Sequence, residues 1–208
     1  MRDRTLLTCG ALAGPVFIGT YTITGRVASE YDRRRDAVST LARTDIGWTQ
    51  TLNFFVSGLL TWAGAAGFRR ALRSGTGAGA LPVLVGAVAT GLIGVGLFAT
   101  DTPEETAREG LSRRGALHVA SAVPFFVGLP AACAVAAARF TQEEKSAAKV
   151  ISANAGAVSI TAATLAGAAF SRTEGRLFRW GGFFQRISVV TGFAWLTYVA
   201  LLVRRQAG

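Results

Sequence analysis

Hydrophobic residues gather in six long runs along the chain, and the charged residues fall between them. The runs cover residues 5–24, 48–68, 81–100, 115–138, 150–170 and 187–203. A hydrocarbon core about 30 Å thick takes about 20 residues of helix. Inside a bilayer no water is present to satisfy open backbone groups, so each such run must be helical. The pattern predicts an all-α integral membrane bundle of six transmembrane helices, a single domain over residues 1–208. A signal peptide is the alternative for the first run. That run is long for one, lacks a clear small-x-small cleavage site and precedes five more spans, so it reads as a retained helix.

Small residues recur within the runs at helix-packing spacing. They include Ser57, Thr61, Gly64 and Gly67 in the second and Gly86, Thr90 and Gly94 in the third. Where no hydrophobic effect drives helices together, such residues let backbones approach closely. The glycine runs at 75–79 and 91–96 superficially resemble phosphate loops, but neither follows a strand. A nucleotide fingerprint is rejected.

Six spans put both termini on one side. The terminal side carries 10 Lys or Arg and the opposite side 12, a near balance, whereas 9 of the 12 Asp and Glu lie opposite the termini. Acids weigh little in orientation. The acid-free Arg69-Arg70-Ala-Leu-Arg73 loop and the Arg204-Arg205 tail favour cytoplasmic termini in a cell membrane. The connector between the first two helices, residues 25–47, is long for a compact bundle. If helical, it places Asp32, Asp36 and Ser39 on one face at i, i+4 and i+7, as in a short helix lying at the interface. The alternative is that its Asp and Arg residues pair with one another and hold it in place. Arg33, Arg34 and Arg35 read as headgroup contacts.

Composition narrows the picture further. Mean hydropathy is +0.38. The net charge of +10 comes from 20 Arg and 2 Lys. The arginines sit at the ends of apolar runs, where cations anchor helices to headgroups, and form no basic face interleaved with aromatics. No nucleic-acid partner is expected; membrane lipids are. Cys9 and Cys133 lie inside apolar runs without metal-type neighbours, so they are expected to be unbridged fillers.

Four stretches carry a family resemblance. They are Asp36-Ala-Val-Ser39-Thr-Leu41 leading to Gly47-Trp48-Thr-Gln50-Thr-Leu-Asn53-Phe54; Ser57-Gly58-Leu59-Leu60 with Gly67-Phe-Arg69-Arg70; Gly94-Val-Gly96-Leu97-Phe98-Ala-Thr-Asp101-Thr-Pro103 followed by His118; and Gly182-Phe-Phe-Gln185-Arg186 leading to Trp195. Together, in order over nearly the whole chain, they resemble the bacterial membrane family catalogued as DUF998. The resemblance implies a compact six-helix membrane protein. It departs from the pattern at one point: a proline expected just before Asp101 is replaced by Pro103 after it.

Candidate chemistry collects on the face opposite the termini. Asp101 ends the third helix there, and His118 begins the fourth. Polar groups at membrane depth are costly and usually face a bundle interior. Asp101 and His118 are therefore expected to share one pocket as an acid–base pair, because a carboxylate fixes an imidazole tautomer. A structural bond between helices accounts for the same residues. Asp36, Ser39, Trp48, Asn53, Phe98 and Arg186 are expected to bind substrate. A single histidine cannot supply a three-ligand zinc site unless carboxylates supply the rest, so no metal and no cofactor is expected. The aromatics of this face (Trp48, Phe54, Phe98, Phe178, Trp180, Phe183, Phe184) form either an interfacial belt or the walls of a lipid pocket.

The leading expectation is an intramembrane enzyme using acid–base chemistry on a lipid or isoprenoid, cyclisation included, with Asp101→Asn abolishing turnover. A small proton-coupled transporter is the second reading and a non-catalytic membrane assembly partner the third.

Overall fold

The computed structural model describes residues 2–206. Six helices are long and apolar enough to cross a membrane: α1 (Arg2–Val27), α2 (Trp48–Ala71), α3 (Ala80–Leu97), α4 (Arg113–Gln142), α5 (Ser146–Phe170) and α6 (Gly181–Gln206). The chain is a multi-pass membrane protein, and no strand occurs among the described residues. Five of the helices begin and end within about four residues of the apolar runs, the usual error of such readings. The sixth starts at Gly181 rather than Ile187. Hydropathy stopped short there because Gln185 and Arg186 interrupt the run. The helix continues through them because both find partners in the connector.

The helices close into a ring: each packs on its chain neighbours, and α6 returns to α1. The centre is filled from four helices at once. Phe17 of α1 meets Phe54 of α2 at 5.5 Å and Phe193 of α6 at 5.2 Å between ring centroids, and Phe193 meets Phe125 of α4 at 5.3 Å. Glycines set the closest approaches. A methyl group on Gly10 would lie 2.7 Å from the Gly64 Cα, so α1 and α2 touch backbone to backbone. Cys9 and Cys133 are both free thiols, the second fully buried.

Two features position the site. First, α4 is not a uniform helix. It runs as ordinary α-helix over Arg113–Val123, widens into one π turn over Pro124–Gly128, and resumes over Leu129–Gln142. Pro124 has no N–H to give the preceding turn, which is where such a change of winding arises. Below the turn α4 packs on α5. Above it α4 leans on α3, where a methyl on Gly91 would lie 2.5 Å from the Ser121 carbonyl oxygen and one on Gly94 2.8 Å from Ser121 Cβ. The upper halves of α4 and α5 are thereby parted.

Second, the 25–47 connector is a strap and not an amphipathic helix. Asp32 and Asp36 close a tight turn, with Asp36 N–H donating to the Asp32 carbonyl at 2.7 Å, and Val38–Arg43 forms a 3₁₀ helix. Its carbonyls cap α6: Gly182 N–H donates to Arg35 O and Phe183 N–H to Arg34 O, both at 2.9 Å, satisfying donors that every helix start leaves open.

The link between α3 and α4 contains a further short helix, Pro103–Glu109. Thr102 and Glu105 form a capping box around Pro103 at its first turn. That signature is legible in Thr102-Pro-Glu-Glu105.

Candidate functional site

Under the strap, between the parted halves of α4 and α5, lies a cavity of about 830 Å³. Its inner wall is apolar: Val119, Ala122, Val123 and Phe126 from α4 face Ala166 and Phe170 from α5. Val119, Val123 and Val127 line it and are also about half exposed, so the cavity opens sideways at membrane depth. Its roof is polar and comes from the strap and the α3–α4 link. A smaller chamber of about 70 Å³ continues inward between Phe17, Phe54, Phe125 and Val189. Ser39, His118 and Gln185 line both spaces and so stand where they join.

Those three side chains are nearly buried, 9 %, 6 % and 9 % exposed respectively, yet each keeps a polar atom that no hydrogen bond among the described residues uses. His118 Nδ1 lies 2.8 Å from the carbonyl oxygen of Phe98. A carbonyl can only accept, so Nδ1 carries the proton and Nε2 presents its lone pair. Gln185 Oε1 accepts from Val38 N–H at 2.7 Å, which leaves its amide N–H₂ as donor. The Ser39 hydroxyl can do either.

Asp101 lines the same cavity as His118. Its two oxygens are occupied: Oδ2 accepts from Ser112 N–H at 2.7 Å and Oδ1 from the Ser112 hydroxyl at 2.8 Å. Ser112 in turn caps α4, its hydroxyl oxygen accepting from Gly115 N–H at 2.9 Å. Asp101, which lies beyond the end of α3 and not in its last turn, thus ties the start of the α3–α4 link to the start of α4. No hydrogen bond joins Asp101 to His118.

The strap is held from both sides. Toward α6, Arg186 donates to the Asp36 carbonyl at 3.0 Å and to the Tyr31 hydroxyl, and Arg34 stacks 4.6 Å over Trp180. Toward the α3–α4 link, Arg43 forms a two-pronged pair with Glu105 at 2.6 and 2.8 Å and donates to the Thr100 carbonyl at 2.7 Å. The Arg43 hydrogen bonds, with that from Thr102 N–H, hold the Glu105 carboxyl below the usual carboxylate range. Within the strap Arg35 pairs with Asp36 at 2.6 Å.

Of the residues the sequence singled out, Asp36, Ser39, Asp101 and His118 come together around the cavity. Four do not. Trp48 is 69 % exposed at the start of α2 and lies outside the lining. Asn53 is buried against α1, donating to the Phe17 carbonyl at 3.0 Å and to Gln50 Oε1 at 3.2 Å. Phe98 contributes its carbonyl to His118 and not its ring to the wall. Arg186 holds the strap. Of the face's aromatics only Phe178 reaches the main cavity, joined there by Tyr31, Phe126 and Phe170. Sequence reasoning missed these three and carried Gln185 only within the family stretch ahead of the sixth apolar run. Gln185 is the most recoverable, as an amide one residue before an arginine in an otherwise apolar helix.

Tyr31 offers a direct check on the strap. Its hydroxyl donates to the Ala37 carbonyl at 3.0 Å, and burial pushes the phenol up to about 12 although Arg186 pulls the other way. A pKa raised on folding gives stability that is present below the ordinary value of about 10 and lost as pH rises toward 12. In an alkaline titration read by tyrosinate absorbance, Tyr31→Phe is expected to remove one phenol from the step near pH 12. Its disappearance from the step near 10 would show the strap to be undocked.

No curated protein and no solved structure matches the chain. One family model does, over residues 11–202 and so across nearly its whole length, described as "Protein of unknown function (DUF998)", and the chain belongs to that family.

Proposed function

We propose that the protein is an integral membrane enzyme that acts on a lipid or isoprenoid by acid–base chemistry in the cavity under the strap. The observation that supports this most is the His118 imidazole: nearly buried, fixed as one tautomer by the Phe98 carbonyl, and with a lone pair left for whatever enters. An imidazole so placed takes a proton from a substrate and can return it, which is the task of a general base. Asp101 lines the same cavity and carries the charge opposite to that of an imidazolium formed there. The Ser39 hydroxyl and the Gln185 amide would orient the polar end of the substrate. The sideways opening between α4 and α5 would admit an acyl or prenyl chain directly from the bilayer.

Isoprenoid cyclisation is the narrower version, with Phe126, Phe170 and Phe178 stabilising a developing carbocation. It asks Asp101 to act as proton donor, and both of its oxygens are already engaged as acceptors, from the Ser112 N–H and the Ser112 hydroxyl. A proton-coupled transporter fits less well. The buried polar stripe of α2 is largely bonded within itself: Asn53 to Gln50, Ser57 to Asn53, Thr61 to the Ser57 carbonyl. A pure assembly partner needs no cavity at all. We place the termini in the cytoplasm, so the cavity would face the opposite side of the cell membrane.

The test is comparative lipid mass spectrometry. Lipids co-purifying with the wild-type protein are compared with those bound by His118→Gln, and whole-membrane lipids are compared between cells making either form. A lipid held by both and a product species made only with the wild type is the expected result. An unchanged lipid profile despite a bound lipid would make the protein a carrier or binder. Absence of any bound lipid would remove the lipid site.

A further inference from the structure

The cavity's charge runs against that of the chain. The protein carries +10, yet five carboxylates (Glu30, Asp36, Asp45, Asp101 and Glu104) line the cavity against two guanidiniums, Arg35 and Arg43. Both guanidiniums are spent: Arg35 on Asp36 and Arg43 on Glu105. None of Glu30, Asp45 and Glu104 forms an ion pair among the described residues. Other arginines of this face, Arg113, Arg114 and Arg172 among them, lie outside the lining. An anionic headgroup would therefore meet net negative charge and no uncommitted cation in the lining.

The polar group at the junction of the two spaces points the same way. His118, 94 % buried by its 6 % exposure, offers a lone pair at Nε2 and no proton there. Its natural partner is a donor. A phosphate oxygen is an acceptor and would need the imidazole charged; a protonated amine carries N–H groups and the complementary charge. Tyr31, Phe126, Phe170 and Phe178 add aromatic surface, which also attracts cations over their faces. The Gln185 amide N–H₂ remains for a carbonyl or hydroxyl beside the amine.

Resting on the lipid-site reading above, we infer that the cavity selects an amphiphile with a protonated amine headgroup and not a lipid phosphate. The apolar tail lies between α4 and α5, and the ammonium sits under the strap between His118 and the carboxylates.

The protein, purified in an uncharged maltoside detergent, is titrated calorimetrically with dodecylammonium and with dodecyl phosphate, each corrected for partition into empty micelles. Dodecylammonium is expected to bind about tenfold or more tightly, the scale of three modest surface charges acting together. Added salt should narrow the difference. The variant Glu30→Gln/Asp45→Asn/Glu104→Gln, changed only at exposed positions, should bring the ratio close to one. A second variant separates the two readings. Gly167 lines the cavity and a β-carbon there would meet nothing within 4 Å, so Gly167→Trp is expected to fill the slot and block both probes. If the two probes bind equally to the wild type and Gly167→Trp blocks both, the amine inference is overturned and the lipid site stands. A ratio unchanged in the triple variant also overturns it. If neither probe binds, or Gly167→Trp leaves both unaffected, the lipid-site reading falls and the inference with it.

Discussion

Gly91→Val is expected to destabilise the protein and close its cavity in one step. The first added carbon would lie 2.5 Å from the Ser121 carbonyl oxygen and 3.3 Å from Pro124 Cβ, and a backbone atom cannot swing aside as a side chain can. Overpacking of this kind costs about 1–3 kcal/mol, more when backbone must move. To relieve it, the upper half of α4 has to leave α3, and the free space on its other side is the cavity against α5. Gly19→Val is the control, since nothing lies within 4 Å of the position a side chain would take. The expected result is a lower thermal midpoint in detergent and loss of co-purifying lipid for Gly91→Val, with neither change for Gly19→Val. Equal midpoints for the two variants would mean that α3 and α4 are not held this closely.

That prediction connects a sequence pattern to the site by a route the sequence shows only in part. Gly86, Thr90 and Gly94 at four-residue spacing in α3 suggested a close neighbour, and Gly94 does meet Ser121 of α4. What the pattern does not carry is where α4 goes afterwards. Apolar runs report burial in lipid or protein alike, so they locate six helices but do not say which pairs part company. The π turn at Pro124 decides that, and a proline inside a membrane helix signals only that something gives way. The strap was legible as a long polar connector and illegible in form. Its Asp32, Asp36 and Ser39 spacing suits a helix, but its carbonyls are drawn off to cap α6, and the turn at Asp32–Asp36 follows from that docking. For the same reason Arg186 and Gln185 looked alike as polar residues before an apolar run. One is consumed in holding the strap, and the other lines the cavity. Trp48 and Asn53 show the limit of residue type as a guide. An aromatic at an interface and an amide in a helix are as readily an anchor and a helix-to-helix bond as a binding site.

His118→Gln is expected to lower turnover by about 10²–10⁴-fold, the usual contribution of a positioned general base. Asparagine (His118→Asn) would set its N–H₂ at the place of Nδ1 and is the companion variant that keeps the donation to the Phe98 carbonyl. Glutamine reaches the place of Nε2, where the proton would be taken up, and is the informative replacement. Its amide oxygen can accept a hydrogen bond but does not take up a proton at neutral pH. The protein should remain folded, and binding of substrate should change far less than turnover. Asp101→Asn supplies the contrast. Read from sequence alone, that change abolishes turnover by removing one member of an acid–base pair. In the structure both Asp101 oxygens accept from Ser112, so the amide of asparagine would keep one of those bonds and set a donor against the other. The expected result is a smaller loss of turnover than in His118→Gln, accompanied by a lower thermal midpoint as the start of α4 loosens. The two variants are compared by turnover of the product lipid identified with the wild type and by thermal unfolding of the same preparations. If Asp101→Asn lost as much turnover as His118→Gln with its thermal midpoint unchanged, Asp101 would be transferring the proton itself. If His118→Gln kept full turnover, the imidazole would be a helix-to-helix bond and nothing more.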